Sequence, residues 1–454
     1  MDITDLLGLT ALELGRHFGE GSIDPVSLCE ATLAGADDPL LDKVFITLTP
    51  ERARREAGLS LRRQGEGRPR GPLEGVTVAW KDVFDVSGTP TTAGSAIRRR
   101  GVPAPTDATV VRCLAAAGMV CIGKTNLSEF AFSGLGLNPH FGTPRNPHGE
   151  GPSRIPGGSS SGSAVAVAAG AVPCAIGTDT AGSVRAPAAF CGIVGFKATA
   201  GKLDRSGVLP LAPTFDSLGI LARSVADVTA VEAALRGVRP PGAAPPTDTS
   251  RIRLVIPDGE WVDEADDAVR ERFLDAVSVL RRSGIDVRRR QLPALNEAQG
   301  ILDSCGSPVA AEAALTYSGL LESPEADLLD PYVTNRLSAG RSILADGYAR
   351  LMRERPRLQA ALDVELAGAF LVCPSVRRTA PLIKPLSRDG RLYASQEAEA
   401  LRNTALMSFF DMPGISLPVG ADEQGMPIGL LLSGSSARDA AVLRVARSAE
   451  AILA

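Results

Sequence analysis

Short β-type runs alternate with helical patterns along most of this chain, and that rhythm restricts it to folds in which helices cover a sheet. Gly75-Val76-Thr77-Val78-Ala79-Trp80-Lys81-Asp82-Val83-Phe84 is rich in β-branched and aromatic residues and reads as a strand. Residues 110–117 carry apolar side chains at helical spacing and are closed by Gly118; residues 119–122 form the next strand-like run. Residues 172–177 form another. The alternation resumes after position 250, with strands expected at 253–256, 285–290, 370–373, 414–418 and 427–432, and helices at 265–282 and 437–452. A long helical stretch at about 340–366 should break at Pro356, which lacks a backbone donor. Residues 1–65 read as helical, with segments at 11–18, 25–34 and 50–63. Ser224-Val225-Ala226-Asp227 reads as a capping box opening a helix to about residue 235.

Residues 130–163 break the rhythm. They are dominated by Gly, Pro, Ser and Asn, and a loop this long inside a compact domain tends to be functional. A helix of small side chains is expected at 163–169, ending at Gly170. Residues 237–250, with four prolines, read as a linker. The hydrophobic content of 44% supports a large core, and a net charge of −4 gives no basic footprint for nucleic acid. No run approaches the roughly 18 apolar residues of a membrane span, and the acidic start Met1-Asp2-Ile3-Thr4-Asp5 lacks signal-peptide character. The seven cysteines are scattered with no C-x-x-C pair, which argues for buried thiols in a reducing cytoplasm and against zinc or a disulfide framework.

Three segments have compositions that packing alone does not explain. Lys81 ends an apolar strand, where an ammonium would be costly to bury; it is either neutral or tightly hydrogen-bonded, or else it is a solvated lysine paired with Asp82. Gly157-Gly158-Ser159-Ser160-Ser161-Gly162-Ser163-Ala164 places glycines on both sides of three hydroxyls and runs straight into the small-residue helix. A phosphate-binding loop is the competitor, but the lysine of G-x-x-x-x-G-K-[ST] is missing. Gly177-Thr178-Asp179-Thr180-Ala181-Gly182-Ser183-Val184-Arg185 ends a strand in a turn that can present a hydroxyl beside unpaired N–H groups, as an oxyanion hole requires; a plain turn is the alternative. A Ser-His-Asp triad would have to draw on His17, His140 or His148, and the G-x-S-x-G elbow is absent around Ser183.

Together these segments resemble the amidase signature family. The likeness rests on Val78-Ala79-Trp80-Lys81-Asp82, on the 157–164 cluster, and on residues 177–188 continuing through Phe190-Cys191-Gly192-Ile193-Val194-Gly195-Phe196-Lys197. Ser159 and Ser183 stand 24 positions apart, the family's spacing, and the tail from Asn403-Thr404 to Gly429-Leu430 is family-like. The resemblance implies an α/β fold with a large mixed, twisted sheet flanked by helices on both faces. An N-terminal helical region (1–65) would pack on a core carrying the site (66–236). The 237–250 linker would lead to the rest of the same domain (251–454), with a helical insertion near 295–366 on the substrate side.

It further implies a Ser–cis-Ser–Lys triad. Ser183 would be the nucleophile, Ser159 the bridging serine after a cis peptide bond from Gly158, and Lys81 a neutral general base. The N–H groups of Thr180, Ala181, Gly182 and Ser183 would form the oxyanion hole. Asp179 and Arg185 would brace the turn and Ser160 would add a supporting hydrogen bond. No metal or other cofactor is expected, and the implied activity is hydrolysis of a small-molecule amide by a stand-alone cytoplasmic monomer or homodimer. A glutamine-hydrolysing subunit of a tRNA-dependent amidotransferase shares the same triad. Residues 130–136, including Phe132, Ser133 and Gly134, are apolar with small side chains and favour an acyl or aryl group over a charged one. Tyr317, Tyr332 and Tyr348 are further pocket candidates.

Overall fold

A computed structural model describes residues 8–239 and 248–454. Most of the expected linker, residues 240–247, and the acidic start of the chain lie outside the described residues. Eleven strands form one sheet: β1 (Phe45–Leu48), β2 (Thr77–Lys81), β3 (Val120–Thr125), β4 (Cys174–Asp179), β5 (Val194–Lys197), β6 (Ser217–Ala222), β7 (Arg253–Pro257), β8 (Asp286–Arg290), β9 (Phe370–Pro374), β10 (Gly414–Ala421) and β11 (Pro427–Ser433). Their order is β1-β3-β2-β4-β6-β5-β10-β11-β9-β7-β8. The sheet is mixed: β2 runs parallel to β3 and β4, and β7 parallel to β8 and β9, while the remaining pairs are antiparallel. Helices cover both faces, as an α/β/α arrangement requires.

The two-residue period of the strands sorts side chains between the two layers. Ala79, Ala175 and Leu221 pack with the helix Ser161–Ala168, whereas Val78, Trp80, Cys174, Ile176 and Ile220 pack with the helices Thr109–Ala116 and Val225–Leu235. Lys81 shares the parity of Ala79, so it leaves its strand on the side where the serine-rich helix lies.

Three local expectations need correction. The helix Ala345–Leu366 continues through Pro356. Leu351, Leu358, Leu362 and Leu366 are buried along one stripe on both sides of the proline, and that packing outweighs the lost backbone bond. The capping box is half-made: Ser224 Oγ accepts from Asp227 N–H at 3.0 Å, but the Asp227 carboxylate takes the N–H of Leu12 at 3.0 Å instead of reaching back. It thereby ties the helix Ala11–Gly19 to Val225–Leu235. The N-terminal region also supplies β1, an edge strand paired with β3. Among the described residues, no helix is long and apolar enough to cross a membrane.

Candidate active site

β2 and β4 run side by side in the sheet, and their carboxyl ends bring Lys81 and Thr178 together. Ligand sites in α/β sheets favour that edge. Lys81 has no exposed surface, and its Nζ donates to Ser159 Oγ at 2.7 Å and to Thr178 Oγ1 at 2.8 Å. The Asp82 carboxylate turns away and pairs with Lys124 at 2.5 Å, both side chains fully buried, and it also accepts from the Thr92 hydroxyl. The pairing of Lys81 with Asp82 is therefore not made. Burial pushes Lys81 down to about 7, against the pull of the Asp179 and Asp216 charges. A substantial neutral fraction follows at neutral pH.

Ser159 sits on the approach to the helix Ser161–Ala168, and the Gly158–Ser159 peptide bond is cis. The loop is held against residues 133–136: Gly158 N–H donates to the Gly134 carbonyl at 2.8 Å, and a Cβ on Gly158 would lie 2.5 Å from Gly136 N. Ser163 Oγ meets Thr125 Oγ1 at 2.6 Å and anchors the helix to β3. Four of the six N–H groups from Gly157 to Gly162 are engaged by protein carbonyls, those of residues 158, 160, 161 and 162. A phosphate cradle would need them free.

The Ser160 N–H donates to the Ser183 carbonyl at 3.2 Å, which sets the two serine segments side by side. Ser160 Oγ reaches the Thr178 carbonyl at 3.4 Å. Beyond β4 the chain turns sharply around Asp179, whose carboxylate accepts from the N–H groups of Gly182 (2.7 Å), Val184 (3.1 Å) and Arg185 (3.2 Å). Arg185 closes the pair through Nε at 2.9 Å and Nη2 at 2.8 Å, both side chains fully buried. Burial alone would raise this acid, but the Arg185 guanidinium outweighs it and holds the carboxyl at about 2. Gly182 has φ +135°, and a Cβ there would lie 2.1 Å from Thr404 Oγ1, so only glycine fits.

Of the four N–H groups expected in the oxyanion hole, that of Gly182 is taken by Asp179. The other three, of Thr180, Ala181 and Ser183, have no hydrogen-bond partner among the described residues. Ser183 is 6% exposed, against 0% for Ser159 and Lys81, and its hydroxyl makes no hydrogen bond among the described residues. The cluster is thus closed at the lysine and open at Ser183.

Three residues missed at the sequence level complete this geometry. Thr178 Oγ1 is the second acceptor for Lys81. Asp216 accepts from Thr180 Oγ1 at 2.7 Å and from the N–H of Leu211 at 2.9 Å. Thr404 donates to the Ala181 carbonyl at 2.8 Å. Thr178 lies inside the 177–185 motif, where the sequence assigns it no role. Thr404 lies in the family-like tail without an assigned role, Asp216 in none of the motif segments, and only the tertiary fold brings the two to the turn.

The proposed pocket segment is buried. Arg336 lies over the Phe132 ring at 4.0 Å, Ser133 Oγ meets Tyr393 OH at 2.5 Å, and Gly134 N–H donates to Glu397 at 3.0 Å. The three candidate tyrosines are used elsewhere. Tyr317 donates to the Pro210 carbonyl, Tyr332 stacks on Tyr393, and Tyr348 donates to Glu312. His140 faces the Glu129 carboxylate at 3.1 Å and His148 the Cys191 carbonyl at 2.9 Å. His17 contacts Ser22, so no histidine bonds to Ser183 among the described residues.

Residues 36–443 match the family model for amidases. The chain is 34% identical over 400 residues to 2-amino-5-chloromuconic acid deaminase of Comamonas testosteroni, covering 86% of this chain and 84% of that one. It is 32% identical over 481 residues to a glutamyl-tRNA(Gln) amidotransferase subunit of Chloroflexus aurantiacus, covering 98% and 96%. An amidase crystal structure at 32% identity superposes with a TM-score of 0.85 over 98% of this chain and 100% of its own. On sequence and on fold alike, the chain belongs to the amidase family.

Proposed function

We propose that this enzyme cleaves a linear, non-peptide carboxylic amide through an acyl-enzyme on Ser183, with Ser159 as proton relay and Lys81 as general base. The observation that carries the reading is a fully buried lysine, pushed down to about 7, in contact with Ser159. Neutral Lys81 accepts a proton from the Ser159 hydroxyl as Ser159 takes one from Ser183, and Ser183 Oγ bonds to the amide carbon. The unpaired N–H groups of Thr180, Ala181 and Ser183 are suited to receive the negative charge that develops on the carbonyl oxygen. The same relay returns the proton to the departing nitrogen as the C–N bond breaks. Water then repeats the attack on the ester and releases the acid. Esters and carbamates pass through the same tetrahedral species and are secondary candidates.

The test is a hydrolysis screen with Ser183→Ala as control, together with fluorophosphonate labelling followed by intact mass. Activity and a single adduct are expected in the wild type, and neither in the variant. Turnover retained by Ser183→Ala defeats the assignment.

A second reading, ammonia supply to a tRNA-dependent amidotransferase, is favoured by the 32% identity to one of the subunits of such an enzyme over nearly the whole chain. Amide hydrolysis by the isolated protein, running as a monomer or homodimer in size-exclusion chromatography, separates the stand-alone enzyme from that alternative. The seven unbridged cysteines fit a cytoplasmic setting.

A further inference from the structure

A cavity of about 460 Å³ opens beside Ala181, between the 179–183 turn and the helices Pro293–Cys305 and Gly390–Phe409. Its walls are largely apolar, formed by Phe215, Leu302, Val309, Leu401, Leu406 and Phe409. A few charged side chains also reach it, and each already faces an opposite charge. Arg336 pairs with Glu397 at 2.5 Å, and its Nη1 also donates to the Phe132 carbonyl at 2.8 Å. Glu397 further accepts the Gly134 N–H. Arg402 Nη2 lies 2.9 Å and 2.8 Å from the two carboxylate oxygens of Glu260. Asp303 accepts from Gln299 at 2.7 Å and lies 3.8 Å from Arg402.

A substrate carboxylate or ammonium entering here would have to break one of these pairs or lose its water without a partner, and both are unfavourable. An apolar group meets walls that match it. We propose, resting on the acyl-enzyme reading above, that the amide cleaved carries an uncharged, apolar acyl group, aryl or branched alkyl, seated in this cavity. Arg336 and Glu397 then act as positioning residues. They line the cavity themselves and bolt the Phe132–Gly134 segment behind it to the helices Pro331–Arg341 and Gly390–Phe409, and they do not receive the substrate.

The test uses the full-length enzyme and ammonia release from phenylacetamide, benzamide and isobutyramide against L-glutamine and succinamate, with fluorophosphonate labelling of Ser183 run in parallel. The best apolar amide should exceed both charged ones in kcat/KM by about 100-fold or more, as a wall of spent charges requires. Arg336→Met should lower kcat/KM on all amides by a common factor, because it loosens the wall and removes no receptor. A labelled enzyme that prefers the charged amides, or leaves all three apolar ones intact, overturns this inference alone. Loss confined to the carboxylate-bearing amides in Arg336→Met also overturns it. An enzyme neither labelled nor active overturns the acyl-enzyme reading and this inference with it. If Arg336→Met does not fold, Glu397→Gln, which keeps an acceptor for Gly134, is held to the same common-factor expectation.

Discussion

Replacing Lys81 with methionine should abolish hydrolysis and yet stabilise the fold, by an amount that shrinks as pH rises. In the folded chain the Lys81 pKa falls from its ordinary 10.5 to about 7. Between those values the unfolded chain holds a proton that the folded chain does not, so wild-type stability climbs with pH across that window. At about pH 7 the penalty for burying this amine is about 4 kcal/mol, and at about pH 9 it falls to about 2 kcal/mol. Methionine removes the penalty but also two hydrogen bonds, to Ser159 and Thr178, each worth about 1 kcal/mol. The variant should therefore exceed the wild type by about 2 kcal/mol at pH 7 and come close to it at pH 9. Urea unfolding at the two pH values measures the gap, and far-UV circular dichroism checks the fold. A gap that stays constant with pH would refute the reasoning, because it would mean that Lys81 does not titrate in that range.

The same titration predicts that kcat/KM falls about tenfold per pH unit below about pH 7, where Lys81 holds its proton, which a pH–rate profile reads directly. Asp216→Asn should lower kcat by loosening Thr180. It should also move that acid limb to lower pH, since the Asp216 charge raises Lys81; an unmoved limb would leave Asp216 a purely structural part. Arg185→Met leaves the Asp179 carboxylate buried without its partner and should cost about 3–5 kcal/mol in a denaturant melt. Gly182→Ala drives a methyl to within 2.1 Å of the Thr404 hydroxyl, and activity should fall by about 100-fold or more, measured as kcat on any working amide.

Much of the sheet and the heart of the candidate site were legible because their signals lie in consecutive residues. β2 is a contiguous β-type run, and the serine and turn motifs each occupy a dozen residues or fewer. Pro356 misled because its penalty is local, whereas the leucine stripe that offsets it, Leu351 to Leu366, spans about four turns of helix and the core beneath it. Gly182 was expected to offer its N–H to substrate. No pattern in the turn could reveal that the Asp179 side chain folds back to claim it. Asp227 completes the recognisable S-x-x-D signature, but its carboxylate found a backbone donor 215 positions away. The roles of Asp216 and Thr404 were illegible for the same reason: their partners are neighbours in space only.

The turn that carries Ser183 is not self-supporting. Its arginine reaches the Thr404 carbonyl and the Ser408 hydroxyl, and the Thr404 hydroxyl returns to the Ala181 carbonyl. A nascent chain halted before residue 404 would already contain all three residues of the proposed triad and would still lack the clamp that shapes the turn. Competence for chemistry thus arrives late in synthesis, and fragments released early would be chemically silent even where their sheet had formed.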